Sequence, residues 1–265
     1  MSNESFLISL KQNNDLSDIA VQEIRVDCSE YPLNQRAYIQ MASLPGNSRK
    51  YALNRISPKI GPLWHKQILF LGSSVTFGFG SLGESFVDYL WKADGVQGIK
   101  DAENGETLVG TIDETNKKYD PDSYVNRFRA ELAATKPDVF VLQLSTNDAT
   151  QNKPLGEISY NGKFNTETIT GALEFIISKA EEKWKCPILV FTNPYFDNAL
   201  YIEMVQRTKE LTKKYHFELL NFFEDPNFNR QKRIYMADKI HPTRAGYLEK
   251  WLPNFEEKLT AMTKK

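Results

Sequence analysis

The sequence predicts an α/β fold in which a five-stranded parallel sheet is covered by helices on both faces. Three observations support this prediction. Short apolar runs alternate with helix-like segments between residues 67 and 259, which is the order produced by successive strand–helix–strand units. The runs at 67–72, 138–145 and 187–193 are predominantly apolar, as in strands that are buried on both faces, whereas the run at 96–102 is a weaker strand signal. The chain of 265 residues is long enough for one such domain and a small appendage.

The individual elements follow one another in a regular order. The predicted strands are QILFLG (67–72), VQGIKDA (96–102), DVFVLQLS (138–145), PILVFTN (187–193) and HFELLNFF (216–223). Helical spacing of apolar residues predicts helices at 85–93, 122–135, 166–184, 198–215 and 243–259. Pro253 should kink or restart the last helix, because proline has no backbone N–H to donate.

Residues 1–62 have a different pattern and predict a small β-rich N-terminal extension. The segments IAVQEIRVD (19–27), RAYIQMASL (36–44) and KYALNRIS (50–57) alternate apolar and polar residues, as half-buried strands do. SLPGNS (43–48) is a plausible turn between the last two segments. We therefore place a domain boundary after residue 62, with the main α/β domain at 63–265.

Composition excludes several classes of protein. The formal net charge of −1 argues against a general role in binding nucleic acid or a membrane surface. Two cysteines, Cys28 and Cys186, are too few for a disulfide framework or a multi-cysteine zinc site. No apolar run is long enough to span a membrane, and the N-terminus lacks the pattern of a secretory leader. We expect a cytoplasmic protein without a metal or cofactor, and a homo-oligomer remains open.

Short polar motifs follow the predicted strands. GSS (72–74), STND (145–148) and TNP (192–194) come directly after the first, third and fourth strands, and DKIHPT (238–243) precedes the last helix. The carboxyl ends of parallel strands meet at one edge of a sheet, where ligands bind in such folds. We therefore expect these motifs to converge on one site.

The residue types in these motifs suit nucleophilic catalysis. A serine hydroxyl such as Ser74 needs a base to take its proton. His241 is a suitable base, and Asp238, three residues earlier, could hold the imidazole in the correct tautomer. The tetrahedral intermediate also needs donors for its oxyanion. The candidates are the backbone N–H groups of Ser74 and Gly105 and the side-chain amide of Asn147.

Four segments together resemble the SGNH (GDSL-like) hydrolases. They are ILFLGSSVTFG (68–78), NGETL (104–108), LSTND (144–148) and DKIHPT (238–243), and they occur in the order of that family's blocks. Two positions depart from the family pattern: Ser73 replaces the Asp of Gly-Asp-Ser, and Asn104 stands where a small residue is more usual. The register of the first block selects Ser74, not Ser73, as the nucleophile.

The resemblance implies a flavodoxin-like three-layer fold with strand order 2-1-3-4-5 and an esterase or acylhydrolase activity that needs no metal. We expect a serine esterase that cleaves a short-acyl carboxylic ester, for which an O-acetylated carbohydrate is a candidate. A lysophospholipase or thioesterase would use the same residues. The alternative from another class is a non-catalytic protein that binds a glycan or a partner on a hydrolase scaffold.

Several assignments compete with ordinary structural roles. Ser74 could simply cap a helix N-terminus, which is a common use of serine after a strand. Phe77, Asn193 and Tyr195 are candidates for substrate binding, and ordinary packing is the alternative for the two aromatic side chains. The other two histidines, His65 and His216, lie at the amino ends of strands and should have no part in the site.

Overall fold

The predicted strands form one sheet. The computed structural model describes residues 3–110, 112–113, 118–119, 121–229 and 233–264. The strands are β1 (Gln67–Gly72), β2 (Gln97–Ala102), β3 (Ile112–Asp113), β4 (Lys118–Tyr119), β5 (Val139–Gln143), β6 (Ile188–Phe191) and β7 (Glu218–Leu220). The main sheet has the order β2-β1-β5-β6-β7, and β3 pairs with β4 in a separate two-stranded sheet. The predicted order 2-1-3-4-5 is confirmed.

Buried apolar strands explain why the centre of this sheet forms. β1 pairs with β5 in parallel from Ile68 opposite Val139 to Leu71 opposite Leu142, and these four side chains expose no surface. β5 continues the parallel pairing with β6, and β6 with β7. Strands that are apolar on both sides of the pleat can bury both faces only beneath covering layers, so the apolar runs correctly predicted these central strands, whereas their order was implied by the family resemblance.

Four helices between and after these strands match predicted segments, with bounds that differ by a few residues: α5 (Phe86–Asp94), α6 (Tyr124–Ala134), α8 (Ile169–Lys183) and α9 (Ala199–Leu211). Three short helices were not predicted: α4 (Ser74–Phe77), α7 (Thr146–Thr150) and α10 (Pro226–Asn229). Ser85 caps α5 by accepting a hydrogen bond from the Val87 N–H, and Asp88 accepts one from the Ser85 N–H in return. This reciprocal cap explains why the helix begins where it does.

The last predicted helix is interrupted. α11 (Arg244–Gly246) continues into a π-helical turn at Tyr247–Trp251, and α12 (Leu252–Thr263) follows. Pro253 lies in the first turn of α12. Proline is tolerated in the first turn of a helix, because backbone N–H groups there do not donate within the helix. The helix changes type directly before Pro253, and the expectation that Pro253 would kink or restart it stays a prediction.

The N-terminal region is helical, so the prediction of a β-rich extension is wrong. α1 (Asn3–Asn14), α2 (Asp18–Glu30) and α3 (Asn34–Ala42) are followed by 3₁₀ turns at Pro45–Asn47, Arg49–Tyr51 and Leu53–Arg55. The predicted strand at 19–27 lies within α2, the one at 36–44 overlaps α3, and the one at 50–57 overlaps the last two 3₁₀ turns. The boundary after residue 62 stays a prediction.

The physical reason for this error is visible in α2. Its buried residues include Ala20, Val21, Ile24 and Cys28, a spacing that fits one face of a helix. Ser17 caps the helix by accepting a hydrogen bond from the Ala20 N–H at 3.2 Å. The apolar residues of 19–27 alternate over a few positions only, and the cap and the packing favour the helical period.

The chain divides into two compact units. Unit 1 contains residues 1–66, 74–100 and 230–265, and unit 2 contains residues 67–73 and 101–229. Unit 1 has a hydrophobic cluster built from the N-terminal helices and one residue of the loop after α4: Phe6, Leu7, Leu10, Leu16, Ala20, Val21, Ile24, Cys28, Tyr38 and Leu82.

Within the described residues, no helix is both long and apolar enough to cross a membrane.

Candidate active site

Ser74 is the first residue of α4, two positions after the end of β1 at Gly72. The residue is 6% exposed. α4 lasts one turn, because Gly78 then takes the left-handed conformation with φ of 94°. The Gly78 N–H donates to the Ser74 carbonyl at 2.9 Å, which closes the turn and holds the backbone that carries the hydroxyl.

His241 and Asp238 lie in a tight turn in unit 1. The backbone N–H groups of Ile240 and His241 both donate to Asp238 Oδ1, at 2.7 and 2.8 Å. An isolated antiparallel bridge joins Met236 to Pro242 on either side of the turn. The spacing of three residues thus lets one carboxylate oxygen organise the loop, while the other oxygen remains available for the imidazole.

Ser74, His241 and Asp238 form one chain of hydrogen bonds. His241 Nδ1 lies 2.8 Å from Asp238 Oδ2, and His241 Nε2 lies 2.8 Å from Ser74 Oγ. When the ring proton is on Nδ1, this nitrogen donates to the carboxylate and Nε2 is left to accept from the serine hydroxyl. The structure therefore brings together all three residues that the sequence analysis selected for catalysis, within unit 1.

Asp238 is held in its charged form. Its side chain is about half exposed. Burial by itself would raise the pKa of this carboxyl, but the hydrogen bond and charge of His241 and the two backbone N–H groups outweigh it and lower the pKa to about 2. An ionised carboxylate at this position stabilises an imidazolium.

The loop after α4 packs against the histidine. The Phe79 ring meets the His241 ring edge-on, with centroids 5.5 Å apart. A Cβ at Gly80 would lie 2.6 Å from His241 Cβ and 2.7 Å from the Pro242 carbonyl oxygen. Only glycine therefore allows the backbone at position 80 to approach the histidine this closely. The sequence analysis did not predict that Phe79 or Gly80 packs against His241, because nothing in a local pattern shows a contact with a residue so distant along the chain.

Unit 2 contains the other two predicted oxyanion donors. The Asn147 amide donates one N–H to the Glu106 carbonyl at 2.8 Å, and an amide has a second N–H. Gly105 takes the left-handed conformation with φ of 84°, and its carbonyl accepts from the Gln151 side chain at 3.2 Å. Asn147 and the turn around Gly105 are thus tied together in unit 2. Their role toward an oxyanion stays a prediction.

Asp148 supports the same loop. Its carboxylate is completely buried and accepts from the backbone N–H groups of Leu108 at 2.7 Å and Val109 at 3.2 Å. Burial raises the pKa of Asp148 to about 6, although these two hydrogen bonds act in the opposite direction. These contacts give Asp148 a structural role in holding the backbone at Leu108 and Val109.

Ser73 has structural partners within unit 2. Its N–H donates to the Gln143 side-chain oxygen at 3.0 Å, and its hydroxyl accepts from Gln143 Nε2 at 3.3 Å. The residue exposes no surface. These contacts favour Ser74 over Ser73 as the reactive serine.

The three candidates for substrate binding differ in exposure. Phe77 is buried in unit 1, where its ring lies 5.8 Å from the Lys100 ammonium. In unit 2, Asn193 is buried and its backbone N–H donates to the Tyr201 hydroxyl at 2.9 Å, whereas Tyr195 is 50% exposed and packs against Phe223. Their contact with a substrate stays a prediction.

The two remaining histidines have other surroundings. His65 Nδ1 lies 3.4 Å from the Gln97 side-chain amide. His216 is exposed and 3.8 Å from Glu181. Among the residues that the structure describes, no group of three or more His, Cys, Asp or Glu side chains is arranged to hold a metal ion.

Comparison with known families gives one match. The sequence profile of the GDSL-like lipase/acylhydrolase family matches residues 70–248. This range contains Ser74, Gly105, Asn147, Asp238 and His241. No curated protein matches the sequence.

Solved structures share the fold at low sequence identity. A protein from Lactobacillus plantarum aligns with a TM-score of 0.61 and 20% identity, over 75% of this chain and 98% of its own. A protein from Bacteroides ovatus assigned to the GDSL-like lipases has a TM-score of 0.56 and 16% identity, over 74% of this chain and 99% of its own. A family two carbohydrate esterase from Cellvibrio japonicus has a TM-score of 0.52 and 17% identity, over 76% of this chain and 62% of its own.

Proposed function

Because the chain belongs to the GDSL-like lipase/acylhydrolase family, we propose that it is a serine esterase whose nucleophile is Ser74. Membership of this family identifies a hydrolase that acts on esters. The proposal adds the triad, the acyl-enzyme and the size of the acyl group. The observation that carries it is the chain of two 2.8 Å hydrogen bonds from Ser74 through His241 to Asp238.

The first half of the reaction forms the acyl-enzyme. Ser74 Oγ attacks the ester carbonyl carbon while His241 Nε2 takes the hydroxyl proton. Asp238 holds the ring and stabilises the imidazolium. The tetrahedral intermediate then collapses, the bond to the alkoxy oxygen breaks, and His241 returns its proton to the leaving alcohol.

The second half releases the acid. A water molecule attacks the acyl-enzyme carbonyl and gives a proton to His241 Nε2. The second intermediate collapses, and the proton passes back to Ser74 Oγ as the carboxylic acid leaves. In both halves, the N–H groups of Ser74 and Gly105 and the Asn147 amide would donate to the oxyanion. Loss of one such donor typically costs about 100- to 1000-fold in kcat.

The proposed substrate is a short-acyl ester, with an acetylated carbohydrate as the favoured natural class. The similar fold of a carbohydrate esterase supports this choice. A lysophospholipase or thioesterase would need the same triad and differs only in the substrate. We expect a panel of 4-nitrophenyl esters to show the highest kcat/KM at two to four carbons, and a maximum at long acyl chains would favour the lysophospholipase instead.

The nucleophile is tested by two matched serine variants. Ser74→Ala should lower kcat by at least a few hundred-fold, which is the scale of triad losses, and should abolish labelling by a fluorophosphonate probe. Ser73→Ala should retain labelling, because Ser73 is engaged with Gln143. If the Ser73 variant loses labelling and the Ser74 variant keeps it, the assignment is wrong. If the wild-type protein is neither labelled nor active on esters, the non-catalytic binding protein replaces this proposal.

A further inference from the structure

Asn47 lies in the N-terminal region, outside residues 70–248 that match the family, yet its side chain contacts both loops that carry the triad. The residue is completely buried. Its amide nitrogen donates to the Gly80 carbonyl at 2.8 Å, six residues after Ser74. Its amide oxygen accepts from the Arg244 N–H at 2.9 Å, three residues after His241. One side chain thus joins the backbone of the nucleophile loop to that of the histidine loop.

The orientation of this amide is determined by its surroundings. The second N–H of Asn47 donates to the Met41 carbonyl at 2.9 Å. A flipped amide would place its oxygen against two carbonyl groups and its nitrogen against the Arg244 N–H, with no hydrogen bond made. These hydrogen bonds hold the Asn47 side chain in one orientation. The 3₁₀ turn Pro45–Asn47 that carries it is also closely packed, because a Cβ at Gly46 would lie 2.0 Å from the Ile234 carbonyl oxygen.

The two loops that Asn47 joins are the ones that must stay in register. Ser74 and His241 are far apart in sequence, and no local element sets their separation. The Gly80 backbone packs so close to the histidine loop that a Cβ at this position would lie 2.6 Å from His241 Cβ, so we expect a shift of the Gly80 backbone to displace the imidazole. An error of 1 Å in such a geometry costs about 100-fold in rate.

We propose that Asn47 is a positioning residue, which sets the distance between Ser74 Oγ and His241 Nε2 by holding Gly80 and Arg244 at once. This inference rests on the proposed esterase function. It assigns part of the catalytic geometry to the N-terminal helices, so residues 1–62 belong to the working enzyme and are not an appendage.

The test compares Asn47→Ala with a control that loses a buried hydrogen bond elsewhere in the same region. Tyr38 is suitable: it is fully buried, its hydroxyl donates to Asp27 at 2.8 Å, and its ring packs on Phe79. Tyr38→Phe removes that bond and keeps the ring contact. Both variants should melt at a lower temperature than the wild type, so stability alone does not separate them.

The kinetic readout is kcat per active site, counted by complete titration with a fluorophosphonate. Asn47→Ala should lower this kcat by about 10- to 100-fold with KM within about twofold, since Asn47 is not among the residues that we propose to contact the substrate. Tyr38→Phe should keep both constants within about twofold. A wild-type kcat per site in Asn47→Ala, or an equal loss in Tyr38→Phe, would overturn the inference and leave the esterase proposal intact.

A structural readout covers the case in which the wild type has no esterase activity and the proposed function itself fails. In a crystal structure of Asn47→Ala, the Ser74 Oγ to His241 Nε2 distance should exceed hydrogen-bonding range. In the Asn47→Asp variant, a carboxylate oxygen would face the Gly80 carbonyl, and the same separation is expected. An unchanged 2.8 Å contact in both variants would refute the positioning role, whatever the substrate.

Discussion

The ion pair between Glu84 and Arg244 offers the sharpest test of how unit 1 is held together. Arg244 Nε lies 2.9 Å from Glu84 Oε2, and neither side chain exposes any surface. Glu84 also accepts from the backbone N–H groups of Ser17 at 3.1 Å and Leu53 at 2.9 Å. The pair therefore joins the N-terminal region, the loop before α5 and the first residue of α11.

Removing one partner leaves a buried charge without its counter-ion. Such a change costs about 3–5 kcal/mol. Unfolding entropy is about 2.1 cal/mol/K per residue, or about 0.56 kcal/mol/K for a chain of this length. Glu84→Gln or Arg244→Met should therefore lower Tm by about 5–9 °C. The double variant Glu84→Gln/Arg244→Met should recover part of this loss, because neither charge then stands alone.

The loss of stability in Arg244→Met should depend on pH. Burial raises the pKa of Glu84, and Arg244 acts against that rise. Without Arg244 the pKa of this carboxyl should rise further. A carboxyl whose pKa is raised in the folded state stabilises the fold at low pH, and this stabilisation is lost as the pH increases. The deficit of Arg244→Met should therefore be smaller in acid than at neutral pH.

Calorimetry and circular dichroism measure these shifts, with Glu182→Gln as the matched control. Glu182 makes an exposed ion pair with Lys179, and exposed pairs contribute little to stability. The control should leave Tm unchanged. The reasoning fails if Glu84→Gln lowers Tm no more than Glu182→Gln does, or if the double variant is no more stable than the worse single variant.

Three further predictions concern the site and its supports. Gly80→Ala should lower kcat, because the new Cβ would lie 2.6 Å from His241 Cβ. Gly61→Ala is the control and should keep the wild-type kcat, because its Cβ would have no atom within 4 Å. Equal kcat values for the two variants would contradict this prediction. Asp238→Asn should lower the free energy of unfolding by a constant amount above about pH 5, and this loss should shrink as the pH falls toward about 2. The reason is that the pKa of Asp238 is about 2 in the folded protein and about 3.9 in the unfolded chain. The ionised carboxylate therefore stabilises the fold above the unfolded pKa, and this stabilisation is lost as the pH falls through the folded pKa. Urea unfolding across this range measures the difference, and one that stays constant in acid would refute the argument. Asp148→Ala leaves two backbone N–H groups without their acceptor, so the free energy of unfolding should fall by about 2–6 kcal/mol. Denaturant titration measures this loss, and a value below about 1 kcal/mol would contradict the prediction.

The sheet could be predicted from the sequence because its signals are local. Each central strand is a run of apolar residues that must be buried on both faces, and each following helix has its own period. The family was also predictable, since four short blocks occur in the expected order, and the profile match confirms it. The contact between Asp238 and His241 was predictable for the same reason, because three residues in a turn bring the carboxylate to the ring.

The N-terminal helices were not predictable from alternation. Over eight or nine residues, apolar positions such as Ala20, Val21 and Ile24 fit both a strand and a helix. Burial of one helical face against the cluster that includes Phe6 and Tyr38 favours the helix. Asn47, Glu84 and Arg244 left no periodic signal at all, because a buried polar side chain is defined by its partners and these are distant in sequence.

The sequence by itself determined the order of strands and helices from residue 67 onward, the family, and which serine, histidine and aspartate to propose as the catalytic residues. These follow from periodicity and from short motifs, and both are properties of neighbouring residues. Only the tertiary structure decided that Ser74 Oγ lies 2.8 Å from His241 Nε2, and that Asn47 hydrogen-bonds to the backbone of both loops that carry them. Such contacts depend on how distant segments pack and on where each buried polar group finds its partner, and no local pattern contains that information.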